Sequence, residues 1–212
     1  MVRKKKKKPR QANALATTFA QRLRTLERTR VKAESLFIAG EFSKRDVGYI
    51  YEAIFLTLMT RFESLLEELF FALLMGRIVS THPGTRSKIE GRSEVVIRGI
   101  VHGGDHYLKW LPYKETSTRA QYYLARGLPF SLLDDADRSF LTQCMIIRNA
   151  LAHKSRFAMG QFHDKVGGVS GLPPRERTPA GFLRAEFRAA PVQRRYENFA
   201  ARMAVIATKL CR

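Results

Sequence analysis

Hydrophobic residues recur every three or four positions along two long stretches of the first half of the chain, as they do on one face of an α-helix. The first stretch runs from Gln11 to about Ile38, and Gly40 follows as a helix-ending residue. The second begins after an N-cap residue, Ser43, and ends near Gly76. A helix of roughly 30 residues, about 45 Å long, has the length expected for the spine of a helical bundle.

The second half of the chain predicts shorter helices separated by irregular segments. Turn-forming residues fill positions 80–92, a short helix is expected over Glu94–Val101, and the glycines and proline of His102–Tyr113 predict irregular structure. Another short helix is expected around Ser117–Ala125.

Asp134 is an N-cap candidate for a strong amphipathic helix over Asp135–Ala152. Residues 160–181 contain five Gly and three Pro and therefore predict a long loop. A final helix is expected over Pro191–Leu210. Because no stretch shows a sustained two-residue period, the predicted fold class is all-α.

The chain has 212 residues, of which 45% are hydrophobic, enough for a core in one domain. Residues 1–10 form a low-complexity basic segment that predicts a disordered tail, and residues 11–212 are expected to form a single domain. The tail is interpreted either as an electrostatic arm for phosphates or as a solvated terminus.

The net charge of the chain indicates which class of binding partner to expect. The 38 Lys and Arg exceed the 19 Asp and Glu, which leaves a formal charge of +19. Seven of the positive charges lie in the first ten residues, so the rest of the chain still carries +12, seven less than the whole. An excess spread through the body of a protein predicts a polyanionic partner, with nucleic acid as the first candidate and an anionic membrane surface as the second.

The cellular location is expected to be the cytoplasm. No run of about 18 apolar residues is present to form a transmembrane helix. The charged start of the chain is not followed by the apolar segment of a secretory signal. Cys144 and Cys211 lie in apolar helical stretches without paired spacing, which predicts buried reduced thiols.

The residues that carry candidate chemistry lie near the end of the helix over Asp135–Ala152. Arg148 and His153 are five positions apart, and Asn149 follows the arginine. An offset of five is about 140° of rotation on a regular helix. The two side chains are therefore expected to converge only if the helix ends between them or if a second copy faces the first.

Such a pair suits RNA cleavage by the neighbouring 2′-hydroxyl. A histidine can accept or donate a proton near neutral pH, and an arginine can hold the scissile phosphate through two hydrogen bonds. The Asn149 amide can orient either group. No metal or other cofactor is required, because the nucleophile belongs to the substrate.

The segment from Arg148 to His153 resembles the Arg-x4–6-His signature of the HEPN superfamily, including the polar residue after the arginine. The resemblance covers residues 40–212 and is specific over about Phe140–Ser155. It implies a bundle of four to five main helices, here with a long irregular loop. It also implies a ribonuclease whose two subunits bring two signatures into one composite site, in the manner of toxins and antiphage effectors.

Carried over to this chain, the resemblance assigns catalysis to Arg148 and His153 and the variable polar position to Asn149. Many relatives add an acidic residue from an earlier helix, and Glu63 is the candidate for that position. The alternative interpretation is that Glu63 is a solvated glutamate on the helix surface. Beyond the signature, Lys154, Ser155 and Arg156 are candidates for an RNA-backbone track, with surface residues that cap a helix C-terminus as the alternative.

Two further hypotheses of function are compatible with the sequence. In one, the domain binds RNA or a nucleotide without cleaving it, and the Arg/His pair contacts phosphate. In the other, the chain is a partner-binding helical protein, for example the inhibitory half of a two-protein system. An inhibitor or activator partner is expected for a ribonuclease as well, since unregulated cleavage would harm the host.

Two other groups have competing interpretations. His102, Asp105 and His106 superficially resemble a metal-binding set, but the glycine pair between them argues against a continuous helix, so no metal site is predicted. A set of aromatic residues is interpreted as packing rather than base stacking. Its members are Trp110, Tyr113, Tyr122 and Tyr123.

Overall fold

The computed structural model describes residues 10–89 and 93–212, and most of them are helical, which confirms the all-α prediction. All but the last residue of the predicted basic tail lies outside the described residues. Eight α-helices lie in the described ranges: α1 (Asn13–Ile38), α2 (Lys44–Leu74), α3 (Glu94–His102), α4 (Tyr113–Tyr123), α5 (Asp135–His153), α6 (Arg156–Phe162), α7 (Pro179–Arg184) and α8 (Arg195–Leu210).

Two small sheets accompany the helices. The strands β1 (Arg10–Gln11) and β2 (Ile78–Val79) pair in parallel, and β3 (Glu186–Ala189) pairs antiparallel with β4 (Val192–Arg194). In residues 10–89 and 93–212, no helix has both the length and the apolar character needed to cross a bilayer.

The long helix α2 is the centre of the fold. It starts with the expected N-cap, because the Ser43 hydroxyl accepts from the Asp46 backbone N–H at 3.2 Å and Asp46 accepts from the Ser43 N–H at 2.9 Å. Its apolar side chains face several directions and pack against α1, α5, α7 and α8. A helix buried on more than one side is the structural role predicted for the spine of a bundle.

Phe199 of α8 joins four helices in the core. Its ring centroid lies 6.0 Å from that of Phe55 in α2, 5.2 Å from Phe140 in α5 and 6.1 Å from Phe182 in α7. Tilted and edge-on aromatic pairs of this kind contribute about 0.5–1.5 kcal/mol each beyond their buried area. The cluster anchors α5 against the spine.

Cys144 and Cys211 are both buried and unpaired, as predicted.

The predicted loop over residues 160–181 is largely wrong. Helix α6, a π-helical turn over His163–Gly167 and the start of α7 occupy much of it. The glycines there serve packing as well as turns: a Cβ at Gly167 would lie 2.6 Å from the Phe162 ring. Thr178 then caps α7 by accepting from the Gly181 N–H at 3.0 Å.

The predicted bounds of two other helices also need correction. The final helix begins at Arg195 rather than Pro191, because residues 192–194 form the second strand of the β3–β4 hairpin. Helix α4 begins at Tyr113, four residues before the expected start. The predicted α1, α2, α3 and α5 agree with the structure to within a few residues at each end.

A network of polar side chains connects α1 with α2 and α7. The Glu34 carboxylate accepts from Arg184 at 2.9 and 3.0 Å and from the Tyr51 hydroxyl at 2.8 Å. Burial raises the pKa of Glu34, but the hydrogen bonds from Arg184 and Tyr51 outweigh it and hold that pKa below its usual range. Arg184 also lies over the Phe37 ring, 4.1 Å from its centroid.

Replacement of Arg184 by Ala is expected to lower the free energy of unfolding by about 3 kcal/mol at neutral pH, because Glu34 stays enclosed without its counter-charge. The loss is expected to shrink in acid. The depressed pKa of Glu34 gives stability that is present above the unfolded-state value and disappears as the pH falls through the folded-state value. Urea unfolding at several pH values measures this.

Arg188→Ala is the matched control, since Arg188 is exposed on β3, and its effect should stay within about 0.5 kcal/mol. Equal stability of the Arg184→Ala and Arg188→Ala variants would contradict a stabilising role for the Glu34–Arg184 pair.

Candidate functional site

Helix α5 carries the candidate chemistry at its exposed C-terminal end. The helix starts where Asp134 accepts from the Asp137 N–H at 2.8 Å. Its apolar stripe, including Ile147 and Leu151, is buried against the rest of the bundle. His153, the last helical residue, is exposed, and the chain leaves the helix at Lys154 in the left-handed conformation with φ 48°.

The side chains of Arg148 and His153 meet in this structure. The Arg148 Nη1 lies 3.3 Å from His153 Nε2 and 3.2 Å from Asn149 Oδ1. Because a guanidinium can only donate, Nε2 can act only as the acceptor in this contact. Of the signature residues, Arg148 and Asn149 are half-buried, and His153 is exposed.

The expectation that the pair converges only through a break in the helix or a second copy is wrong. Helix α5 continues through Arg148 and ends at His153 itself. The arginine side chain is long enough to cross the angular offset of five residues and reach the imidazole at the helix end. One subunit therefore assembles one complete Arg/His pair.

Glu63 faces this pair from α2. Its side chain is half-buried, and burial raises the pKa of Glu63, while the Arg148 guanidinium lowers it by less. The two groups act on one another electrostatically without forming an ion pair within 4.0 Å. The predicted acidic residue of an earlier helix is thus located beside the candidate site.

Sequence reasoning missed Tyr107, which lies in the irregular segment between α3 and α4. Burial raises the pKa of Tyr107, the carboxylates of Glu63 and Glu67 raise it further, and Arg148 lowers it. The phenol therefore interacts electrostatically with both carboxylates and the arginine, although 66% of the residue is exposed. No local pattern marks Tyr107, because its neighbours come from distant parts of the chain.

The residues after His153 have structural partners. Lys154 Nζ lies 3.0 Å from a carboxylate oxygen of Glu52 in α2, a contact that sequence reasoning also missed. The Ser155 hydroxyl caps α6 by accepting from the Ala158 N–H at 3.2 Å. Arg156 is exposed at the first position of α6. Ser155 therefore caps the start of α6 rather than the C-terminus of a helix, and a role of these three residues in binding RNA stays a prediction.

The other sequence candidates are placed as packing or surface groups. His102 stacks on Phe71 with centroids 6.2 Å apart, and its Nδ1 lies 2.9 Å from the Asp105 backbone oxygen. Within the described ranges no three His, Cys, Asp or Glu residues group closely enough to hold a metal. Trp110 and Tyr113 are buried, as the packing interpretation requires, whereas Tyr122 is exposed.

No match to this chain is found among known protein families, curated proteins or solved structures.

Replacement of Glu63 by Gln is expected to stabilise the fold at neutral pH by about 0.5 kcal/mol after allowance for solvent screening. Burial raises the folded-state pKa of Glu63, so stability falls as the pH rises from below the unfolded-state value through the folded-state value. The neutral amide avoids this cost. Urea unfolding at neutral and acidic pH checks it, and the difference should vanish in acid.

Glu68→Gln serves as the comparison, because Glu68 is exposed on the same helix and its replacement should give the same small change in stability at both pH values. A Glu63→Gln protein less stable than the parent at neutral pH would show that the Glu63 carboxylate stabilises the fold instead.

Proposed function

We propose that this chain is a metal-independent endoribonuclease of the HEPN type, with Arg148 and His153 as its catalytic residues. The observation that carries the proposal is the 3.3 Å contact between Arg148 Nη1 and His153 Nε2 at the exposed end of α5. A neutral imidazole beside a guanidinium is a base next to an anion-binding group, which is the combination that cleavage at a phosphodiester needs.

The surrounding protein supports a polyanionic substrate. The chain carries a formal charge of +19, and Arg156 lies exposed three residues beyond His153. Positive charge spread over a protein raises the local concentration of nucleic acid and speeds its association. The predominantly helical fold, with α1, α2, α5 and α8 as its longest helices, is compatible with an HEPN-like bundle.

The proposed reaction is a transesterification within RNA. The scissile phosphate draws the Arg148 guanidinium away from the imidazole, which leaves Nε2 of His153 able to accept the proton of the 2′-hydroxyl. The 2′-oxygen attacks phosphorus, the bond from phosphorus to the 5′-oxygen breaks, and the products are a 2′,3′-cyclic phosphate and a 5′-hydroxyl. The departing 5′-oxygen takes a proton from an imidazolium.

The second imidazole is proposed to come from a second copy of the chain. One histidine accepts a proton while another donates one, and among the described residues His153 is the one histidine with a hydrogen-bond contact to Arg148. Two exposed pairs facing each other across a two-fold axis would form the composite site of a homodimer. A monomeric mass at working concentration in sedimentation equilibrium would contradict this arrangement.

Glu63 is proposed as a positioning residue that attracts and orients Arg148, and Asn149 as a second orienting partner through its Oδ1. In the cell, the HEPN resemblance points to a cytoplasmic toxin or antiphage effector whose activity an inhibitor or activator controls.

A non-catalytic RNA-binding module is the second candidate. It is favoured by the hydrogen bonding of His153, whose imidazole contacts Arg148 but no carboxylate among the described residues. Catalytic histidines are commonly oriented by an acidic or carbonyl partner on the other ring nitrogen. In this reading Arg148 and His153 together bind phosphate and no bond breaks.

His153→Ala is expected to slow cleavage of a fluorescent reporter RNA in EDTA at least about 100-fold, because the proton acceptor is lost. Arg148→Ala is expected to slow it at least as much, since the charge that develops on the phosphate is no longer offset. Cleavage rates of the purified full chain and its variants measure both effects. Circular dichroism confirms that each variant folds.

His163→Ala is the matched control: His163 is exposed in the π-helical turn, and its removal should leave the rate unchanged. Activity retained in both the His153→Ala and Arg148→Ala variants would rule out this pair as the catalytic site. RNA that binds the parent protein but stays intact would support the binding module.

A further inference from the structure

A groove of about 740 Å³ lies between α1, α2 and the segments around β2 and α3. Phe19, Leu65 and Phe71 form part of its apolar floor. Its rim is basic, with four arginines: Arg22, Arg61, Arg77 and Arg98. The volume is in the range of small-ligand sites, and neither Arg148 nor His153 lines it.

Ion pairs hold two of these arginines at the end of the groove near α3. Arg98 lies 3.1 Å from Glu94 and 3.8 Å from Glu67, and Arg77 lies 2.5 Å from Glu94. Their positive charges are therefore largely offset. Arg98 also covers the ring of Phe71, with its guanidinium carbon 4.3 Å from the centroid.

The other end of the groove carries uncompensated positive charge. Arg22 of α1 and Arg61 of α2 lie next to the Phe19–Phe62 contact, whose ring centroids are 5.9 Å apart. Both arginines are exposed, and neither forms an ion pair with another residue of ranges 10–89 and 93–212. Two neighbouring guanidinium groups beside an apolar floor suit a phosphate attached to an apolar or aromatic group.

One edge of the groove lies one helical turn from a residue of the candidate site. Glu67, which lines the groove, is four residues from Glu63 on α2, so the two side chains are neighbours on the helix surface. Because Glu63 interacts electrostatically with Arg148, adjacent positions of α2 connect the groove with the candidate site.

We propose that this groove binds a single-stranded segment of RNA that flanks the scissile phosphate, with Arg22 and Arg61 holding backbone phosphates above the apolar floor. The carboxylate of Glu68, which also lines the groove, accepts from the amino group of a base. The ligand rests on the proposed ribonuclease function, but binding in the groove needs neither Arg148 nor His153.

The test compares two double variants that remove equal charge. Arg22→Ala/Arg61→Ala alters the groove, whereas Arg24→Ala/Arg28→Ala removes two exposed arginines of α1 that do not line it. Fluorescence anisotropy measures binding of a short labelled 2′-O-methyl oligoribonucleotide, which lacks the attacking hydroxyl. The groove variant should bind at least about tenfold more weakly, with a salt dependence smaller by roughly 1.4 in log–log slope for two lost phosphate contacts.

The control variant should lose less than about threefold. Equal losses in both double variants, or parental affinity in the groove variant, would overturn the proposal. Competition by uridine 5′-monophosphate as strong as that by the oligonucleotide would assign the groove to a free nucleotide and overturn its assignment to a strand. A parent protein that binds through the groove but cleaves no RNA would contradict the ribonuclease function alone.

Discussion

The fold depends on the burial of α2 from several sides at once. Its side chains pack against α1, α5, α7 and α8, so the spacing of apolar residues on one helix determines where four others lie. The same packing positions its polar residues. Glu63 faces Arg148, Glu52 reaches Lys154, and Arg61 lines the groove, although all three lie within twelve consecutive residues of the same helix.

Burial and charge have opposing effects on Glu63 at the candidate site. Burial of Glu63 penalises its charged form, yet that charge is what attracts the Arg148 guanidinium. The contact between Arg148 and His153 is exposed, so a substrate phosphate can replace the imidazole as the partner of the guanidinium. Such arrangements are typical of sites where a group must exchange partners during a reaction, whereas structural ion pairs such as Glu34–Arg184 are enclosed.

Much of the fold could be predicted from the sequence, because helical periodicity is a local property: Ser43 and Asp134 cap the helices they were expected to cap. The β3–β4 hairpin and the helices within 160–181 could not, because their strands and helices are short and Gly167 is required by contact with Phe162 rather than by a turn. At the site, Arg148, Asn149 and His153 lie together in one local motif. The interactions of Tyr107 and Glu52 could not be predicted, because they form only when segments distant in the sequence pack together.

The most direct test of the proposed ribonuclease activity is the chemistry of the RNA ends produced by the purified full chain in EDTA. We expect fragments with 2′,3′-cyclic phosphate and 5′-hydroxyl ends, because the nucleophile is the neighbouring 2′-hydroxyl. We expect none of these fragments with His153→Ala. Fragments with 5′-phosphate and 3′-hydroxyl ends, or cleavage that appears only when a divalent metal is added, would contradict this proposal.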